Sequence, residues 1–134
     1  MTRPGLRQVL AGLQRTSKFR RPAPTSGWQP LACSAEVGRR PLVCQTDRDG
    51  LTRTILVWRT RRGRPVAMDA RCPHRLLPMT GGRVVGDAIE CPFHHRRFGP
   101  SGRCVNVRGA RPAVVLEVRE VAGVLWIEVG GPEV

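Results

Sequence analysis

Tyrosine is missing from this 134-residue chain, lysine occurs once, at Lys18, and histidine only three times. No apolar run approaches the roughly 18 residues that a membrane-spanning helix needs. The longest apolar stretches near the start are no longer than Val9-Leu10-Ala11, well short of the roughly 7–15 residues at the centre of a secretory signal. The expected protein is therefore soluble and cytoplasmic, with no membrane partner. Five cysteines are an odd number, and without a secretory context disulfides are not the default use for them. A chain of this length holds one domain with a modest core and leaves no room for a second, catalytic one.

Acidic residues are also scarce, 10 against 23 basic ones, for a formal net charge of +13. Clustered cations neutralise phosphates and suggest nucleic acid. Here 22 of the 23 are arginine, a skew that biased codon usage produces without selection for binding. The aromatic platforms that usually stack bases are few, three Phe and three Trp. Nucleic acid is therefore not the expected partner.

Met1 to Gly27 contains six basic residues and no acid, with Pro, Ser, Thr and Gly in place of a sustained apolar period. The segment 1–27 is expected to be a flexible basic tail. Residues 28–134 carry 17 basic and 10 acidic residues and read differently. Short β-rich runs follow one another: PLVCQT, RTILVW, RPVAMD, RVVG, DAIEC, AVVLEVRE and VLWIEVG, broken by DRDG, RRG, Gly86-Asp87, PSG and AG. Val114, Leu116 and Val118 alternate as a half-buried strand requires. Seven short strands without a convincing helix predict an all-β sandwich or barrel.

Two short motifs carry the chemistry. Residues 72–74 read CPH and residues 91–94 read CPFH, and between them Arg83-Val84-Val85 and Ala88-Ile89-Glu90 flank Gly86-Asp87. Gly at the first central position suits a type II′ hairpin, which runs out and back and brings the Cys72/His74 loop beside the Cys91/His94 loop. Two loops would then clasp one object. A structural zinc site usually groups like ligands, with two to four residues between partners. Each arm here supplies one Cys and one His, the first with only Pro73 between them. A two-iron, two-sulfur centre takes that donor set, with two thiolates on one iron and two imidazoles on the other. Zinc and ligand-free loops remain the alternatives.

The CPHR stretch at 72–75, GGRVVGDAIECPFH at 81–94 and FGPSGRC at 98–104 resemble a Rieske [2Fe-2S] domain. The likeness is to the N-terminal domain of Rieske non-haem iron, ring-hydroxylating oxygenases, or to a Rieske-type ferredoxin. GWQPLACSAEV at 27–37 resembles the opening strand of that domain and GVLWIEVGGPE at 123–133 its closing segment. The resemblance implies a small β-sandwich or barrel with a cluster-binding subdomain of two loops joined by a hairpin. It also implies that Cys72, His74, Cys91 and His94 are the metal and cofactor ligands. The function it implies is relay of single electrons from a reductase to a terminal oxygenase-type acceptor. The alternative is a binding or regulatory protein on the same scaffold, with a degenerate or zinc-substituted site.

The chain departs from that family in two ways. Glycine usually follows each ligand motif, and an aromatic usually follows the second glycine, where this sequence has Leu76, His95 and Arg96. Glycine holds positive φ without strain, so both replacements add bulk beside the site. Respiratory-type members carry an extra disulfide-bonded cysteine in each loop and a tyrosine and serine bonded to the cluster sulfurs. Leu77 and Phe93 occupy the cysteine positions here and tyrosine is absent, which points to the ferredoxin and oxygenase branch. The family's mononuclear iron needs two histidines and a carboxylate. With His74 and His94 committed, only His95 is left, so no catalytic residue is expected in this chain. His95 is expected in an exposed loop, Cys33, Cys44 and Cys104 as small buried or loop residues, and Trp58, Trp126 and Phe98 in the core. Arg75, Arg96 and Arg97 are candidates for a docking rim or for solvated surface.

Overall fold

A computed structural model of the protein describes residues 27–48 and 50–128; the expected basic tail lies outside the described residues, apart from Gly27. Among the described residues ten strands form three antiparallel sheets, and the only helical element is a single 3-10 turn, Ser34–Glu36. The first sheet orders β1 (Trp28–Cys33), β10 (Val124–Glu128) and β9 (Val118–Val121); the second orders β2 (Leu42–Arg48), β3 (Leu51–Arg59), β4 (Pro65–Asp69) and β8 (Val115–Leu116). The third, smaller sheet orders β5 (Arg83–Val85), β6 (Ala88–Glu90) and β7 (Arg97–Phe98).

The middle sheet is covered on both faces, and β3 explains how. Successive strand residues point to opposite faces. Ile55 and Val57 enter one apolar cluster with Leu31 of β1 and Leu125 and Ile127 of β10. Leu56 and Trp58 enter another, with Met68, Met79, Ile89, Phe98, Cys72 and Cys91. A continuous apolar run such as ILVW is what a strand buried on both faces needs. The second cluster is the floor beneath the two Cys/His loops.

The structure has three more strands than the seven runs in the sequence. Trp28–Cys33 is a strand, as is the short pair Arg97–Phe98, and AVVLEVRE divides in two. Val115–Leu116 pairs with β4 whereas Val118–Val121 pairs with β10, so the chain crosses between sheets at Glu117. Val114 is not in a strand. Leu116 and Val118 still contribute to one cluster, which is why their spacing looked like a single strand. Trp126 differs from expectation too: its neighbours Leu125 and Ile127 face the core, so strand alternation turns the indole to the outer face, where it is half-buried. Trp58 and Phe98 are fully buried as expected.

The hairpin lies where the sequence put it. Val85 pairs with Ala88 across a two-residue turn. Gly86 has φ 64 while Asp87 is not in the left-handed region, the combination a type II′ turn requires. Asp87 also moors the third sheet to the second. Its carbonyl accepts the Trp58 indole N–H at 3.2 Å and its carboxylate the Arg61 backbone N–H at 2.8 Å.

Candidate metal centre

Both Cys/His loops are built on one hydrogen-bonded template. In the first, the Leu76 N–H donates to the Cys72 carbonyl at 2.6 Å and the Cys72 N–H to the Leu77 carbonyl at 2.8 Å. In the second, the His95 N–H donates to the Cys91 carbonyl at 2.9 Å and the Cys91 N–H to the Arg96 carbonyl at 2.8 Å. Each base is closed by an antiparallel pair, Arg71 with Pro78 and Glu90 with Arg97. The fourth residue after each cysteine turns left-handed, Leu76 at φ 57 and His95 at φ 60. These are the two positions where the family usually has glycine.

The template directs each cysteine inward to the apolar floor and each histidine outward. Cys72 and Cys91 are buried, and both are free thiols. His74 and His94 are exposed and stack edge to face, with ring centroids 4.9 Å apart and planes at 79°. Burial pushes the Cys72 thiol up; the His74 backbone N–H opposes that, the contacting Cys91 thiol adds to it, and the Arg75 backbone N–H opposes it again. Partial desolvation holds His74 below the ordinary imidazole range, helped by the charges of Arg96, His94 and Arg75, so the neutral ring that a metal needs is favoured.

His95 does not join them. Its side chain is 73% exposed and its Nδ1 lies 4.0 Å from Glu90 Oε1, away from the imidazole pair. Arg97 is not a free rim cation either, because its Nε donates to Glu90 Oε2 at 3.0 Å. Arg75 is exposed and Arg96 half-buried beside the histidines. Leu76 and Phe93, 63% and 50% exposed, add apolar surface to the same end of the molecule.

Two acids at the loop bases went unnoticed in the sequence. Asp69 is buried and accepts from Arg53 Nε at 2.9 Å and from the Arg71 backbone N–H at 2.9 Å. Glu90 is buried and accepts from Arg83 Nε and Arg97 Nε, each at 3.0 Å. The available signal was an acid ending an apolar strand, VAMD and AIE, with arginines nearby in the sequence. A buried carboxylate needs such partners.

A single metal ion would need three or four donors converging on one point. No such group of His, Cys, Asp or Glu exists among the described residues. What the structure offers is a thiol pair and an imidazole pair. That split suits a two-metal group whose irons take two donors each, and the burial of both thiols suits its sulfur-rich side. The residues present fit the group.

Comparison with known proteins agrees. Residues 27–122 match the Rieske [2Fe-2S] domain. The chain is 40% identical over 91 residues to the oxygenase component of chloroacetanilide N-alkylformylase from Rhizorhabdus wittichii, covering 63% of this chain and 26% of that protein. It is 36% identical over 111 residues to the iron-sulfur subunit of the toluene-4-sulfonate monooxygenase system of Comamonas testosteroni, covering 78% and 31%. The structure superposes on apo dicamba monooxygenase with a TM-score of 0.68 at 30% identity, covering 78% of this chain and 34% of that one. The chain thus spans about a third or less of the length of these relatives. With twin loops, paired donors, an all-β frame and these matches in agreement, the chain belongs to the Rieske [2Fe-2S] domain family, whose cofactor is a Rieske-type two-iron, two-sulfur cluster.

Proposed function

We propose that Cys72, His74, Cys91 and His94 are the cluster ligands, and that the protein relays single electrons from a reductase to a terminal oxygenase-type acceptor. The observation that carries this reading is the division of the four side chains into a buried thiol pair and an exposed imidazole pair on matching loops. When bound, the cluster supplies reversible one-electron chemistry. The protein's own part is to keep water from the sulfur side with Met79, Ile89 and Phe98 and to present the histidine edge to a partner. Its relatives, an oxygenase component and the iron-sulfur subunit of a monooxygenase system, support an oxygenase system as the setting. The chain has three histidines in all, so oxygen chemistry belongs to another iron site, in a partner or in a further domain. We place the cluster-binding domain at residues 28–134.

The test is spectroscopic. Reconstituted protein should be brown, bleach with dithionite, contain about two irons and give the mixed-ligand paramagnetic resonance signal on reduction. Cys72→Ser, Cys91→Ser, His74→Ala and His94→Ala should each abolish that signal, and His95→Ala should leave it. A colourless protein holding zinc, or a signal lost in His95→Ala but kept in His94→Ala, would sink the assignment.

A further inference from the structure

The second ligand loop has a side-chain support that has no counterpart on the first among the described residues. Asn106 reaches it from the segment just after the Cys104 bridge: its Oδ1 accepts the Arg97 backbone N–H at 2.9 Å and its Nδ2 donates to the His95 carbonyl at 2.9 Å. The amide thus pairs with residues 95 and 97 as a backbone peptide would across a ladder. It continues a real pairing, since the Val105 N–H donates to the Arg97 carbonyl at 2.8 Å and Phe98 bridges to Cys104. Its orientation is dictated by its neighbours. Two donors meet Oδ1, the Arg97 N–H and the Cys104 thiol at 3.4 Å, while Nδ2 faces a carbonyl. A flipped amide would oppose donor to donor and acceptor to acceptor.

The first loop has proline at the matching position. Pro78 corresponds to Arg97, six residues after the cysteine in each loop, and offers no N–H to pair. Pro73 and Pro78 stiffen that loop through fixed φ. In the second loop Pro92 stands alone, and its left-handed turn at His95 carries a side chain rather than a glycine's hydrogen. The His95 carbonyl, immediately after His94, is where an outside hold restrains that turn most directly.

We propose that Asn106 is a positioning residue for His94: by clamping His95 and Arg97 it sets the plane of the second loop and hence the orientation in which the His94 imidazole meets the cluster. This rests on the reading of His94 as a ligand. Ligand orientation tunes the electronics of a metal centre through such outer contacts.

The test uses Asn106→Ala and the near-isosteric Asn106→Leu, neither of which adds charge. In the protein without cluster, the Arg97 amide should exchange with solvent about tenfold faster in both variants, the loss expected for one hydrogen bond. In the reconstituted protein both should shift the g values of the reduced signal and the midpoint potential while iron content stays at two. Parent g values and parent potential in both variants would overturn the positioning role, whatever the exchange rate. So would failure of both to fold, which would make Asn106 a general determinant of the fold; if only the alanine variant fails, the leucine variant decides. The two readings fail separately: a signal that survives His94→Ala refutes the ligand assignment, whereas one lost in His94→Ala but unmoved in both Asn106 variants refutes only the clamp.

Discussion

The two Cys/His loops share a hydrogen-bond plan yet reach rigidity by different means. Both close a turn from the cysteine carbonyl to the fourth N–H and both turn left-handed there. The first is fixed from within, by Pro73 and Pro78, and rooted by Asp69, which gathers Arg53, Arg71 and a backbone N–H. The second is fixed from without, by Glu90 between Arg83 and Arg97 and by Asn106 across the turn. Their histidines sit two and three residues beyond the cysteine, and the rings still meet at 4.9 Å. Equivalent geometry can therefore come from chain stiffness or from side-chain ties, and the two respond differently to mutation.

The largest effect should come from Gly82, where the foundations of the loops touch. A Cβ there would overlap the Glu90 carbonyl oxygen and lie 3.0 Å from that of Met79. Both obstacles are backbone, so Gly82→Ala should cost about 3 kcal/mol, measured by chemical denaturation, and should loosen both loops together. Exchange that rises in one loop only would show that the two are independently founded.

Next is Asp69. Burial alone would raise its carboxyl, but the Arg71 side chain and backbone N–H and the Arg53 guanidinium hold it below the usual carboxylate range. A depressed carboxyl contributes stability that is complete above its unfolded value near pH 4 and disappears as pH falls toward the folded value. Stability measured from pH 6 to pH 2.5 should therefore decline below about pH 4. Asp69→Ala should lower the plateau by about 2 kcal/mol, since it leaves the Arg71 N–H without its acceptor, and should flatten the decline. Glu90 is depressed in the same sense by Arg97 and Arg83, so some slope should remain. An unchanged slope in the Asp69 variant would move the acid sensitivity elsewhere.

Among the described residues neither Arg75 on the first loop nor Arg96 on the second has an acidic partner, so the cations beside the histidines divide between the loops as well. Reversing both to Glu should slow electron transfer to an acidic partner about tenfold at low ionic strength and leave the cluster spectrum unchanged. Added salt should erase most of that difference as the Debye length shrinks from about 10 Å at 0.1 M to about 3 Å at 1 M. A rate indifferent to both would return these arginines to ordinary surface. In the same assay the midpoint potential should lie in the lower part of the Rieske range of about −150 to +300 mV, because no tyrosine is present to bond the cluster sulfurs.

The smallest effect should separate the left-handed turns themselves. Leu76→Gly relieves about 1–2 kcal/mol of backbone strain and returns about 0.5–1 kcal/mol through the freer unfolded chain, for a net gain of about 0.5–1 kcal/mol in melting experiments. His95→Gly should gain less, since His tolerates that conformation better. A larger gain at His95 would mean that Asn106 holds its turn against more strain than the first loop stores.

Much of the site was legible in sequence because its signals are local. Cys-Pro-His and Cys-Pro-Phe-His mark the two loops, the Gly86-Asp87 step names the turn between them, and a two-residue hairpin can only run back on itself. The departures at Leu76 and His95 marked the left-handed positions. The division of AVVLEVRE between two sheets could not be read, since Leu116 and Val118 share a core face while their hydrogen bonds go to different strands. Trp126 was misplaced because an aromatic in an apolar run looks the same from either face.

By itself, then, the sequence determined an all-β chain, the two Cys/His motifs and the hairpin that brings them together, because each depends on residues within a few positions of one another. Only the tertiary structure decided which arginines beside the loops are tied to acids, and which acids root the loops. It likewise decided that Asn106, twelve residues after His94, reaches back to the neighbouring turn. Such partners meet through the packing of β3, β6 and β7 over one apolar floor, and a hydrogen bond between residues far apart in the chain leaves no period or motif by which to find it.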